Sequence, residues 1–219
     1  MVVINKYYLQ PTALVPNSKY PLLHYVGVLP KDKLRPEKLH NLYKDNGWET
    51  QWIFRYGPTQ DAHYHSRTHE CMIVLTGTAT IRFGVADTDP DLEKSTHGDA
   101  YEKGGVTLSA KAGDAFLIPA GVSHKTHNTS DNSTFKLLTP GGGHKIEGDV
   151  EKQLAEIELS GYTMLGAYPV GGEWDFAIGG EDEGNYKAVW DVPKPPKDPL
   201  LGNAKEGLCG QWDTVKAKL

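Results

Sequence analysis

The sequence predicts an all-β chain, an antiparallel barrel with a few short peripheral helices. Three observations point there. Apolar residues recur with a period of two through residues 70–83, so that Met72, Val74 and Thr76 share a face with Glu70 while Cys71, Ile73 and Leu75 share the other. The remaining apolar runs are short and closed by glycine, proline or asparagine, the punctuation of strands and turns. Two histidine-bearing stretches, residues 57–77 (GPTQDAHYHSRTHECMIVLTG) and 113–128 (GDAFLIPAGVSHKTHN), read as the halves of one metal site that a small barrel can bring together.

Residues 1–35 alternate short apolar clusters with Pro11, Pro16, Pro21 and Pro30, which suits an edge strand or an extended arm that wraps the barrel or pairs with a second subunit. Residues 36–46 predict a short helix: Pro36 sits at the first helical position, Leu39, Leu42 and Tyr43 form the stripe, and Gly47 closes it. The aromatic-rich WETQWIFRY of residues 48–56 is a strand. Gly77 turns the chain and residues 79–83 return as a hairpin partner. Residues 86–105 are polar and glycine-bounded, an exposed loop. Strands follow at 106–108, 115–118 and 135–138, with Pro119-Ala120-Gly121 as the turn that delivers His124 to the interior. Residues 149–160 predict an inserted helix capped by Asp149, with Val150, Leu154 and Ile157 inward and Gly161 ending it. Late strands are expected at 162–167 and 174–178, and then a proline- and lysine-bearing tail anchored by Trp212. The expected organisation is one domain over 1–219: an N-terminal arm and short helix (1–47), a barrel core (about 48–180) and an extended C-terminal tail (181–219).

His63 and His65 are two residues apart, so on a strand both imidazoles project from one face and form a chelating pair. His124 arrives from the second stretch. Along an unbroken strand the odd offset of Glu70 from His65 would turn the carboxylate away, and His69, at an even offset, would take its place. A turn or bulge at residues 66–68 would reset the alternation in favour of Glu70. The first stretch fits G-x5-H-x-H-x4-E-x6-G through Gly57, His63, His65, Glu70 and Gly77; the second fits G-x5-P-x-G-x2-H-x3-N through Gly113, Pro119, Gly121, His124 and Asn128. On these residues the chain resembles the cupins. The wording HYHSRTHE, GAYPVGGEWD around Tyr168 and the closing DPLLG…W resembles the YjlB-like branch. The resemblance implies a jelly-roll β-barrel (a double-stranded β-helix), present once because each motif occurs once, and the metal ligands His63, His65, Glu70 and His124, with Glu70 selected over His69. Parity turns His127 away from His124 and Thr126, towards the surface, and His97 in the loop is a lesser site candidate.

Composition excludes several classes. A formal charge of −5 without a basic run argues against nucleic acid as partner. No apolar run approaches a membrane span, and MVVINKYYLQ lacks the core of a secretory signal, so no membrane partner and a soluble, cytoplasmic protein are expected. Cys71 and Cys209 are too few for a disulfide framework, in keeping with a reducing compartment. Three imidazoles and a carboxylate suit one divalent ion among Fe, Mn, Ni, Co and Zn. The resemblance implies a metalloenzyme with dioxygenase-like, decarboxylase or isomerase chemistry on a small oxygen-rich organic molecule. The alternative is a non-catalytic cupin that binds a metal or small ligand. A purely structural barrel fits the complete ligand set poorly. Three of the four arginines, Arg55, Arg67 and Arg82, lie in or beside the first motif, and arginine grips carboxylates in bidentate fashion; the plainer reading puts them on outward positions. Arg55, Met72 and Thr126 are the substrate-contact candidates. A homodimer is expected from the N-terminal arm and from a strand at 71–75 that is apolar on both faces.

Overall fold

The computed structural model describes residues 2–213; Met1, and residues 214–219 of the expected tail, lie outside the described residues. Ten strands carry the fold: β1 (Val3–Tyr7), β2 (Leu22–Val26), β3 (Trp48–Arg55), β4 (Glu70–Thr76), β5 (Thr78–Phe83), β6 (Val106–Lys111), β7 (Ala115–Ile118), β8 (His124–His127), β9 (Lys136–Leu137) and β10 (Thr163–Pro169). Five short helices interrupt them: α1 (Pro36–Asp45), α2 (Leu92–His97), α3 (Val150–Ala155), α4 (Tyr186–Trp190) and α5 (Leu208–Gln211). The strands form a seven-stranded sheet, in the order β1-β2-β7-β4-β10-β3-β9, and a three-stranded sheet, β6-β5-β8. Every pairing among them is antiparallel. This is the double-sheet jelly roll that the two motifs imply.

The two apolar faces of β4 find two separate cores. Met72 and Val74 point inward with Trp52, Ile81, Phe83, Phe116 and Met164, drawn from both sheets, and this cluster fills the barrel. Cys71, Ile73 and Leu75 point outward, where Leu39 and Tyr43 of α1, Leu154 of α3, Leu208 and Trp212 cover the large sheet. Removing this apolar area from water on both faces is the main force that closes the sandwich.

Several elements differ from the sequence expectation. The N-terminal segment does more than flank the barrel: β2 lies inside the large sheet between β1 and β7, which leaves β1 as its edge. The 86–105 region contains α2, whose cap Asp91 accepts from the Glu93 and Lys94 amides, and Ser95 and Thr96 are buried. A cationic pair explains that burial. Arg82 donates to Asp87 and to the Ser95 carbonyl, and Lys125, fully buried, donates to Asp87 and Ser95 Oγ. The loop thus packs on the outer face of the small sheet because it satisfies two buried cations there. Asp149 caps α3 as expected, accepting from the Lys152 amide at 3.2 Å, but the helix ends at Ala155. Residues 174–178 form no ladder; a single bridge, Tyr64↔Ala177, holds them as a strap beside the histidines. Trp212 anchors the C-terminal segment, its indole donating to the Pro21 carbonyl and its ring stacked on Tyr20.

Candidate metal centre

Antiparallel bridging brings the two histidine stretches into one register. His63 and His124 exchange backbone hydrogen bonds of 3.1 and 2.8 Å, and His124 also pairs with Phe83 across β8 and β5. Gly121 makes the turn before His124 possible. Its φ is +85°, and a Cβ there would lie 2.5 Å from the Asn17 carbonyl. After His65 the chain bends, and Asp175 pins the bend: its carboxylate accepts from the Ser66 amide at 2.7 Å and from Ser66 Oγ at 2.6 Å. That bend resets the strand alternation.

Glu70 consequently enters the site and His69 leaves it. Glu70 Oε1 lies 3.5 Å from His65 Nε2, and Oε2 lies 3.4 Å from His124 Nε2. His69 packs against Trp212, and its Nδ1 accepts from the Ala120 amide at 2.9 Å. One nitrogen from each of His63, His65 and His124 can be chosen so that all three lie within 4.8 Å of one another.

Each of the three rings turns its Nδ1 to a backbone carbonyl: His63 to Asp61, His65 to Asp175 and His124 to Val122. These contacts hold the proton on Nδ1 and leave Nε2 as a lone pair. His124 Nε2 and Glu70 Oε2 therefore face each other as two buried acceptors, and Oε2 has no hydrogen-bond donor. An arrangement of acceptors without donors is costly unless a cation lies between them. The residues fit a divalent ion on that ground.

The electrostatics agree. Burial holds His63 well below the usual imidazole range, with His124 and His65 adding to the effect, and it pushes His124 down to about 4. Burial also pushes Glu70 upward, but His65, His124 and the Tyr168 hydroxyl outweigh it and the net shift is downward. His65 is shifted the other way. Burial lowers it, while Glu70 and the Asp175 carbonyl more than compensate and raise it overall.

Above the four side chains opens a cavity of about 200 Å³. Trp52, Tyr56 and Tyr168 are buried in its walls, while Phe135 and Phe176 stand about half exposed. Strand alternation puts Trp52, Phe54 and Tyr56 on one face of β3, a signal present in WIFRY from the start. Trp52 fits because β10 carries Gly166 beneath it, where a Cβ would come within 2.1 Å of the indole.

Arg55, Met72 and Thr126 are not among the cavity's lining residues. Arg55 is held at the end of β3 by the Thr134 carbonyl and Ser160 Oγ. Met72 belongs to the inner core, and Thr126 is buried opposite Ile81. Arg67 is exposed on the bend, and Arg82 serves the network under α2. His127 is buried rather than on the surface, because the 86–105 segment covers that side of β8, and His97 lies near it with ring centroids 6.5 Å apart.

Residues 59–141 match the family model described as Cupin. The chain is 29% identical over 209 residues to the uncharacterized protein YjlB of Bacillus subtilis, covering 94% of each sequence. Among solved structures it is similar to a mutant of Bacillus subtilis oxalate decarboxylase (TM-score 0.28, 16% identity), covering 54% of this chain and 22% of that one. It is also similar to the Lactobacillus farciminis oxalate decarboxylase formate complex (TM-score 0.29, 10% identity), covering 80% of this chain and 32% of that one. Both motifs that bring the histidines together fall within or at the edge of the segment that matches the Cupin model, and the likeness to YjlB runs on through both ends of the barrel.

Proposed function

We propose that His63, His65, Glu70 and His124 hold one divalent transition ion (Fe, Mn, Ni, Co or Zn) and that the protein is a metal-dependent enzyme acting on a small oxygen-bearing organic molecule. The class of reaction is oxidation by oxygen, decarboxylation or isomerisation. The observation that carries this reading is the pair of facing acceptors, His124 Nε2 and Glu70 Oε2, at the base of an open cavity. When bound, such an ion supplies Lewis acidity towards the substrate's oxygens.

The chain's own residues do the rest. The Asp61, Asp175 and Val122 carbonyls orient the three imidazoles. Tyr168 holds a proton on the Glu70 side of the site while it accepts from the Trp52 indole at 2.9 Å. The aromatic walls keep water from all but the open side, which strengthens every charge interaction within. A non-catalytic binding protein is the second reading. It is favoured by the fact that, among the described lining residues, no lysine or further carboxylate stands ready as an independent acid or base.

The partner is a small molecule, with a second copy of the chain along the β1 edge as a homodimer, since β1 leaves backbone groups unpaired on one side and exposes Val3. Two unpaired cysteines, Cys71 and Cys209, suit the cytoplasm. Elemental analysis of protein purified without chelator tests the metal, and sedimentation at micromolar concentration tests the dimer. The central test is His124→Ala. The variant should stay folded in thermal unfolding, because the barrel has a large core of its own, yet hold no metal and lose any metal-dependent turnover. A variant that does not fold would make the site structural. A metal-loaded wild type that turns over no substrate in a broad screen would favour the binding reading.

A further inference from the structure

The walls of the cavity are unusually uniform. Trp52, Phe54, Tyr56, Phe135, Trp174 and Phe176 line it together with the metal-site residues, Tyr168 and one amide, Gln60. No arginine or lysine does so among the described residues. The rings are held in place. Trp174 donates to the Gly143 carbonyl and stacks on His144 at 4.0 Å, Phe176 stacks on His63 at 4.0 Å, and Phe54 stacks on Phe135 at 5.0 Å.

We infer that the substrate or ligand of this cavity is a flat, uncharged, single-ring aromatic molecule that carries oxygen donors, and not a dicarboxylate. Three arguments converge. The first is charge. A divalent ion held by three neutral imidazoles and one carboxylate leaves a net charge of about +1. A dianion would therefore bury an uncompensated negative charge with no cationic side chain to meet it. The second is the quadrupole of the walls. Ring faces are electron-rich and repel anions, whereas the edges of a neutral aromatic guest pack against them in offset or edge-to-face geometry. The third is size. An apolar cavity of about 150 Å³ takes one benzene ring, and the volume here is about 200 Å³, enough for one ring with small substituents. The half-exposed Phe135 and Phe176, at 50% and 53%, would be covered by such a guest at the mouth.

This inference deepens the metal-site reading, and the experiment separates the two. Full-length protein, metal-free and loaded with redox-inert zinc, is titrated calorimetrically with catechol, cis-cyclohexane-1,2-diol and malonate. Catechol and the diol both offer two vicinal hydroxyls, but only catechol is a flat ring; because its phenols are also the more acidic donors, each affinity is taken relative to that of the same molecule for aqueous zinc, and malonate is the charged competitor. Catechol should bind the zinc form at least about tenfold more tightly than either. Phe135→Ala, which touches none of the ligands, should weaken catechol several-fold and leave zinc affinity, measured against a competing chelator, unchanged. Malonate binding as tightly as catechol, equal affinities for catechol and the diol, or an indifferent Phe135→Ala would each overturn the inference. If zinc binds and ring preference is absent, the metal reading stands alone. Binding of catechol to a protein that takes up no zinc, weakened by Phe135→Ala, would support the aromatic site while the metal reading fails. A protein that binds neither zinc nor catechol overturns both.

Discussion

The hydroxyl of Tyr168 donates to Oε1 of Glu70 and is itself fixed by the Trp52 indole. β10 pairs with β4 so that Ala167 faces Cys71, which brings Tyr168 beside Glu70 one step further along. A chain of three side chains from adjacent strands thus fixes one oxygen of the carboxylate and leaves Oε2 free towards His124.

Tyr168→Phe should therefore leave the fold intact and weaken metal binding. Groups that orient a ligand in this way typically contribute about 10–100-fold in affinity, and a hydrogen bond to a charged group contributes about 1.5–3 kcal/mol. Competition titration with a chromophoric chelator measures the first, and urea unfolding of the metal-free protein the second. An unchanged metal affinity would remove Tyr168 from the site's machinery.

Much of this arrangement is legible in the sequence. Period-two alternation puts His63 with His65, separates the two faces of β4, and sends His124 and Lys125 to opposite sides of β8. What alternation cannot reach is any residue whose direction is set by distant chain. The bend that admits Glu70 depends on Asp175, more than a hundred positions away. Tyr168 and Trp174 lie in GAYPVGGEWD, a stretch visible as wording but silent about which way its rings point. His127 was expected at the surface because parity distinguishes faces and cannot say that the 86–105 segment covers the outer one. Arg55 was a contact candidate through its nearness in sequence to the motif, yet it is held by the Thr134 carbonyl and Ser160 at the end of its strand, while Arg82 engages Asp87 away from the cavity, in keeping with the plainer reading of the arginines.

His127 gives a pH-dependent signature. Burial, with the neighbouring Arg82 cation, pushes it down to about 4; Lys125 and His97 add to the repulsion, and Asp87 is engaged by the two cations. Between pH 6.5 and 4 the unfolded chain binds a proton at this residue that the folded chain refuses, so stability rises with pH across that window. The contribution is complete above about pH 6.5 and is lost on acidification. At 1.36 kcal/mol per unit, going from pH 7.5 to 5 should cost about 2 kcal/mol at this position. His127→Gln, measured metal-free, should flatten the difference in unfolding free energy between those two pH values by about that amount. Parallel profiles for wild type and variant would refute it.

Asp198 ties the C-terminal segment to the barrel. Fully buried, it accepts from the Tyr25 hydroxyl and from the amides of Leu200, Leu201 and Leu208. Asp198→Ala strands these donors away from water and should cost about 3–5 kcal/mol. Asp198→Asn, which keeps one acceptor oxygen, should cost less. Urea midpoints measure both, and limited proteolysis should cut first after residue 190 in the alanine variant.

Glu70 and His69 are adjacent in sequence and opposite in role, so paired substitutions separate metal binding from packing. Glu70→Gln keeps the shape and the Oε1 acceptor for Tyr168 but removes the negative charge. Metal affinity should fall by about tenfold or more, while the metal-free protein stays folded because the amide oxygen keeps the Tyr168 contact. His69→Gln should do the reverse. The His69 ring packs on Trp212, its Nδ1 satisfies the Ala120 amide at the start of the turn to His124, and burial holds it neutral with a pKa of about 4. Its loss should lower the unfolding midpoint, with a cost of about 1–3 kcal/mol from the stranded amide and the lost ring contact, and leave metal stoichiometry at one per chain. The two variants are compared by metal titration and urea unfolding side by side. Loss of metal from His69→Gln with retention by Glu70→Gln would mean that the bend at residues 66–68 straightens in solution and that His69 is the fourth ligand.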